Sequence, residues 1–138
     1  MLNMKSIISI SLFSLCCMTI LTANAGTNSD TTIKIQNCSQ SRTQADIDVC
    51  RETAYAKSTR KLASLVKTIS KNYASNEPKL KPLFLDTQER WKSFIKTECD
   101  FQNYYSRGGA GYNAYFLSCM ELHTLKRTKQ LEKVLATP

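Results

Sequence analysis

From Thr43 to about Tyr73 the chain runs without glycine or proline, and Leu62, Leu65, Val66, Ile69 and Tyr73 recur at helical spacing. Lys and Arg occupy the opposite side. The pattern predicts one long helix, with room for a bend near Glu52 to Ala56. Thr43 followed by Asp46 marks its start, an Asp standing where the stricter capping box carries Glu or Gln. Ser75-Asn76-Glu77-Pro78, with Pro82 just beyond, ends it in a turn. A second helix is predicted from Pro82 or Leu83 to Cys99 or Phe101. Gln88, Trp91, Ile95 and Cys99 share one face of it, with Phe84 and Phe94 beside them. Arg107-Gly108-Gly109-Ala110-Gly111 interrupts the periodicity as a loop. A third helix follows from Tyr112 or Asn113 to Val134, with Tyr115, Phe116, Cys119, Leu122 and Leu131 as expected core contacts. Strand-like alternation of useful length is absent. The expected fold class is all-α, a small antiparallel helical bundle or hairpin stack.

The first 25 residues read differently. Lys5 supplies a positive start, Ile7 to Leu21 an apolar stretch, and Ala23-Asn24-Ala25 a small-x-small cleavage site. This is the pattern of a secretory signal peptide, and the apolar run is shorter than the ~20 residues of a spanning helix. The expected organisation is a signal peptide over 1–25, a flexible polar lead-in over 26–37, and one helical domain over 38–136. The expected localisation is periplasmic or secreted, with no transmembrane segment in the mature chain.

Cys16 and Cys17 fall inside the leader, which leaves Cys38, Cys50, Cys99 and Cys119. An even count in an oxidising compartment predicts disulfides. A tetrathiolate zinc site is the competing reading, but no CxxC spacing supports it. Four cysteines allow three pairings. An antiparallel hairpin brings Cys99, at one helix end, opposite Cys119, about two turns into the next helix. That geometry favours Cys99–Cys119, and leaves Cys38–Cys50 to tie the lead-in to the first helix.

The formal charge is +8, and removing Lys5 with the leader leaves +7. Such a balance suits anionic partners, such as envelope glycan or lipid, as well as a merely soluble surface. Export argues against nucleic acid. Lys57, Arg60, Lys61, Lys67 and Lys71 crowd one stretch of the first helix.

The cysteine frame carries a family resemblance. Cys38, Thr43-Gln44-Ala45-Asp46 and Cys50 resemble the opening of the lysozyme inhibitor LprI-like N-terminal domain family, formerly a domain of unknown function. Leu85-Asp86-Thr87-Gln88-Glu89-Arg90-Trp91-Lys92-Ser93-Phe94, then Cys99, is similar to its Gln-x-x-Trp segment. Gly108-Gly109, Cys119, Arg127 and Leu131 are similar to its closing segment. The resemblance implies an exported, disulfide-linked helical domain that works by binding a lysozyme or another cell-wall hydrolase. This chain departs from the family in the middle of the first long helix, where members often carry an acidic residue and this chain has Lys57-Ser58-Thr59-Arg60-Lys61. Animal lysozymes are basic, so a +7 inhibitor needs a local acidic patch or a buried loop contact to approach one.

Three groups of residues are candidates for function. Gln88 and Trp91 lie one turn apart, and with Arg127 they form the family motif. A core role suits Gln88 and Trp91, and an internal partner among Glu89, Glu98 or Asp100 suits Arg127. Tyr104, Tyr105, Arg107, Gly108, Gly109 and Tyr112 form the candidate binding loop, because Tyr offers contact area at low entropy cost. The loop lacks the Walker lysine and the third dinucleotide glycine. His123 is the only histidine, and Glu98 and Asp100, two apart on a helix, point away from one another. The expectation is a binding protein and not an enzyme, with no cofactor and no metal. Its function is lysozyme inhibition or envelope defence. The alternatives are a binder of anionic envelope glycan or lipid and an immunity-type protein that neutralises a toxin.

Overall fold

The computed structural model describes residues 33–136, so the expected signal peptide and most of the lead-in lie outside the described residues. Three helices, α1 (Gln44–Asn76), α2 (Leu80–Gln102) and α3 (Tyr112–Ala136), account for nearly all of it. The all-α class holds, and α1 is continuous through residues 52–56.

Asp46 completes a full capping box at the start of α1. Its backbone N–H donates to the Thr43 hydroxyl at 3.1 Å, and its carboxylate accepts from the Thr43 N–H at 3.2 Å. The shorter acid thus does the work usually given to Glu. At the other end the Glu77 N–H closes onto the Tyr73 carbonyl, and Pro78 opens the turn into α2. Pro82 sits in the first turn of α2, where a missing N–H costs no helical bond. Helix α2 stops at Asn103, whose backbone N–H and side-chain amide both donate to the Cys99 carbonyl.

Successive helices run antiparallel: Tyr73 meets Phe84 edge-on at one end, and Cys99 meets Cys119 near the other. Helices α1 and α3 therefore lie parallel, with Arg51 beside Glu121 and Lys61 bonded to Glu132 at 2.8 Å. Small buried residues allow their approach: Ala54 and Ser58 on α1, and Ala114, Thr124 and Thr128 on α3. The buried hydroxyls bond back to carbonyls of their own helix, so none is left unpaired.

Two apolar clusters fill the interior. Leu62, Ile69 and Leu131 form one, and Ile95, Cys99 and Met120 the other, with Trp91 touching both. Tyr115, an expected core residue, is instead exposed, as is Phe94. Helical spacing marks a stripe but not its edge. Tyr115 lies outside the arc of α3 that faces α1 and α2.

Both favoured disulfides are present, Cys38–Cys50 with Cα atoms 6.0 Å apart and Cys99–Cys119 with 5.7 Å. In the chain-entropy model each stabilises the fold by about 3 kcal/mol. Residues 33–38 form no regular element. Gln36 is nonetheless held, its N–H donating to Glu121 at 2.8 Å and its carbonyl accepting from Arg51 at 2.6 Å. Glu121, only 4 % exposed, is thereby an anchor for the chain ahead of Cys38. No charge pattern along α3 marks it for that role.

Candidate functional site

The family-motif residues come together inside the molecule. Gln88 is 2 % exposed; its amide donates to the Phe84 carbonyl at 3.3 Å and the Thr87 hydroxyl at 3.1 Å. Its carbonyl oxygen accepts from Arg127 Nε at 3.1 Å, and the Arg127 guanidinium lies 5.8 Å from the Trp91 ring centre. Arg127 does pair internally, but with Gln88 and Gln130 and not with an acid. The three acids expected for it are engaged elsewhere. Glu89 accepts from Lys92, Glu98 from Gln102, and Asp100 from Arg107 and Tyr112. Burial without a counter-charge pushes the Arg127 pKa down from its ordinary value. The cluster joins α2 to α3 through the point where the two apolar cores meet. One side of Trp91 also lines a mostly apolar groove of about 300 Å³ between α1 and α2, with Leu62, Val66 and Leu85.

The candidate loop is built differently. After Asn103 the chain takes one 3-10 turn, Tyr104–Ser106, and then reverses. Gly108 has φ +79°, a conformation that side chains with a Cβ rarely adopt. At Gly111 a Cβ would come within 3.1 Å of the Tyr115 ring, so the glycine lets that ring lie against the backbone.

Asp100 is the hub of this end. The Arg107 guanidinium donates to both of its oxygens, and the Tyr112 hydroxyl donates to Oδ1 at 2.6 Å. The Tyr112 hydrogen bond, followed by Arg107, holds the Asp100 pKa below the usual carboxylate range. The same bond raises the Tyr112 pKa. Arg107 also lies over the Tyr104 ring at 5.0 Å, and Tyr104 meets Tyr105 edge-on. Arg107 and Tyr112 are thus spent on shaping the loop. The residues it presents are Tyr105, 100 % exposed, Tyr104, 56 % exposed, and the neighbouring Phe101, 74 % exposed.

Phe101 and Tyr115 extend this surface beyond the six loop residues expected from sequence. Both sit on helices, where an aromatic reads as core by default. Three acids of this end accept from neutral amides: Asp48 from Gln44, Glu52 from Asn113 and Glu98 from Gln102. Their charge is therefore left in place. Lys57, Arg60, Lys67 and Lys71 lie exposed further along α1.

His123 lies beside the Cys99–Cys119 disulfide. Burial first, then Lys126, lowers its pKa, and Glu98 works against them. Among the described residues no helix is long and apolar enough to cross a membrane.

No curated protein and no solved structure matches the chain. The family model described as lysozyme inhibitor LprI matches residues 24–131, a span that takes in both disulfides, the Gln88–Trp91–Arg127 cluster and the whole loop. With most of its length matched, the chain belongs to the lysozyme inhibitor LprI family.

Proposed function

We propose that this protein is an exported inhibitor of lysozyme, or of a related cell-wall hydrolase, that acts by direct protein binding through its loop end. The observation that carries the reading is the pinned loop. Asp100, Arg107 and Tyr112 fix the backbone, and Tyr105, Tyr104 and Phe101 project from it into solvent. Preorganisation lowers the entropy lost on binding, and Tyr is among the side chains enriched at interface hot spots. Charge supports the same end. A basic enzyme is repelled by the cationic stretch of α1, whereas Asp48, Glu52 and Glu98 place negative charge at the loop end. The test is a peptidoglycan-lysis assay with several lysozyme classes, with and without the purified mature protein, at low and physiological salt. Slower lysis by at least one class is expected. Unchanged lysis throughout removes the reading.

A second reading rests on a separate surface. Lys57, Arg60, Lys67 and Lys71 fall within one arc of α1 and are exposed. This surface suits an anionic envelope glycan or lipid. Cosedimentation with envelope material that weakens steeply with salt, in a protein without inhibitory activity, would favour it.

A further inference from the structure

The Cys99–Cys119 disulfide has a neighbour that the Cys38–Cys50 disulfide lacks. His123, the chain's only histidine, stands four residues beyond Cys119 on α3, so the two share a face. Cys99 reaches the same point from α2. A ring nitrogen of His123 and both Sγ atoms all lie within 4.8 Å of one another. We propose that Cys99, Cys119 and His123 form a zinc site that opens when the disulfide between α2 and α3 is reduced.

The donor set suits the ion. Zn²⁺ takes thiolate sulfur at about 2.3 Å and imidazole nitrogen at about 2.0–2.1 Å, which places tetrahedral ligand atoms roughly 3.3–3.8 Å apart. Once the S–S bond is broken, the sulfurs need only separate to that distance while the imidazole closes on them. The helices already hold Cα99 and Cα119 5.7 Å apart. Cys99 is fully buried, while Cys119 and His123 are half-buried, so an ion enters from the α3 side. Gln102 Oε1, 3.5 Å from Cys119 Sγ, adds a polar atom at the edge of the site.

The chemistry balances with a dithiol as reductant. Its two thiols become a disulfide, and their two electrons and two protons convert the Cys99–Cys119 bond into two thiols. Zn²⁺ then displaces both protons to form two Zn–S bonds, and His123 contributes a neutral nitrogen lone pair. Three protein ligands leave a fourth position for water. The ion takes over the cross-link between α2 and α3 that the disulfide provides under oxidising conditions.

The test uses the mature chain, reduced anaerobically with a phosphine and titrated with Co²⁺ as a spectroscopic probe, then with Zn²⁺. A thiolate-to-cobalt charge-transfer band that saturates at one ion per chain, and is displaced by Zn²⁺, is expected. The oxidised protein should show no band. Loss of even an outer-shell partner typically weakens metal binding 10–100-fold, so His123→Ala should weaken it at least about tenfold. The Cys38→Ser/Cys50→Ser double variant should keep the band. The proposal is overturned if reduced protein that remains helical by circular dichroism gives no band. Equal affinity in His123→Ala overturns it as well. Should reduction unfold the chain, Zn²⁺ must restore helicity in the double variant but not in His123→Ala; any other result also overturns it.

Discussion

Arg127 lies 5.8 Å from the Trp91 ring and donates to Gln88, while Arg107 lies 5.0 Å from the Tyr104 ring and donates to Asp100. Each cluster joins an arginine, an aromatic ring and a side-chain oxygen, but the first ties the middle of α2 to α3 and the second ties the end of α2 to the loop and the start of α3. They differ in what the aromatic ring does afterwards. Trp91 is absorbed between two apolar cores, so its cluster is spent on holding α2 against α3. Tyr104 and its neighbour Tyr105 stay in solvent, so the Asp100 cluster spends its polar bonds on display. The same residue types therefore serve stability in one place and, on the proposed reading, recognition in the other. Burial decides which.

Substitutions in the two clusters should separate these roles. Trp91→Ala should have the largest effect on stability, about 3 kcal/mol in urea unfolding, at the low end for a large aromatic because Trp91 is only half-buried. Any inhibitory activity, normalised to folded protein, should persist. Arg127→Ala should cost about 1–2 kcal/mol in the same measurement, because it leaves the Gln88 carbonyl oxygen buried without its donor. Asp100→Asn should leave the melting temperature nearly unchanged, yet speed amide hydrogen exchange across residues 104–111 while α1 keeps its protection. Equal loss of protection in α1 would show that the hub is not local.

The smallest effect is a titration. Because the folded Tyr112 pKa is raised by its bond to Asp100, the tie is fully present below the ordinary tyrosine pKa and is lost as pH rises through the elevated value. Tyr112 should thus ionise above the ordinary tyrosine pKa in an NMR titration. At the acid end the sign reverses. The folded Asp100 pKa is lowered, so the tie is present above the ordinary aspartate pKa and is lost as pH falls through the depressed value. Ionisation of Tyr112 at the ordinary tyrosine pKa would contradict the hydrogen bond.

Much of the fold was legible in the sequence because its determinants are local. Helical spacing, the Thr43–Asp46 pair, the Pro78 turn and the glycine loop each act within a few residues, and a short hairpin between α2 and α3 brings Cys99 opposite Cys119. What was not legible depends on how helices meet. Tyr115 and Phe94 follow the apolar spacing of their helices yet face outward, since the width of a buried arc is set by neighbouring helices. Arg127 could reach several acids along the chain, and only the pairing of α2 with α3 places Gln88 under its guanidinium. Glu121 resembles any surface glutamate of a basic helix until residues 33–37 close over it. Within the loop, residue types did not reveal the division of labour among its side chains. Arg107 and Tyr112 turn inward to Asp100, while Phe101 joins the exposed set.

On the proposed function, it is the ordered, aromatic loop end that inhibits a cell-wall hydrolase. The most direct test compares lysis inhibition by the unaltered protein with that of a Phe101→Ala/Tyr105→Ala variant, at matched fold and disulfide content. Hot-spot residues each contribute more than ~1 kcal/mol to binding, so the variant should inhibit at least about tenfold more weakly while melting at the same temperature. Undiminished inhibition by the variant would contradict the account and move the binding surface elsewhere on the molecule.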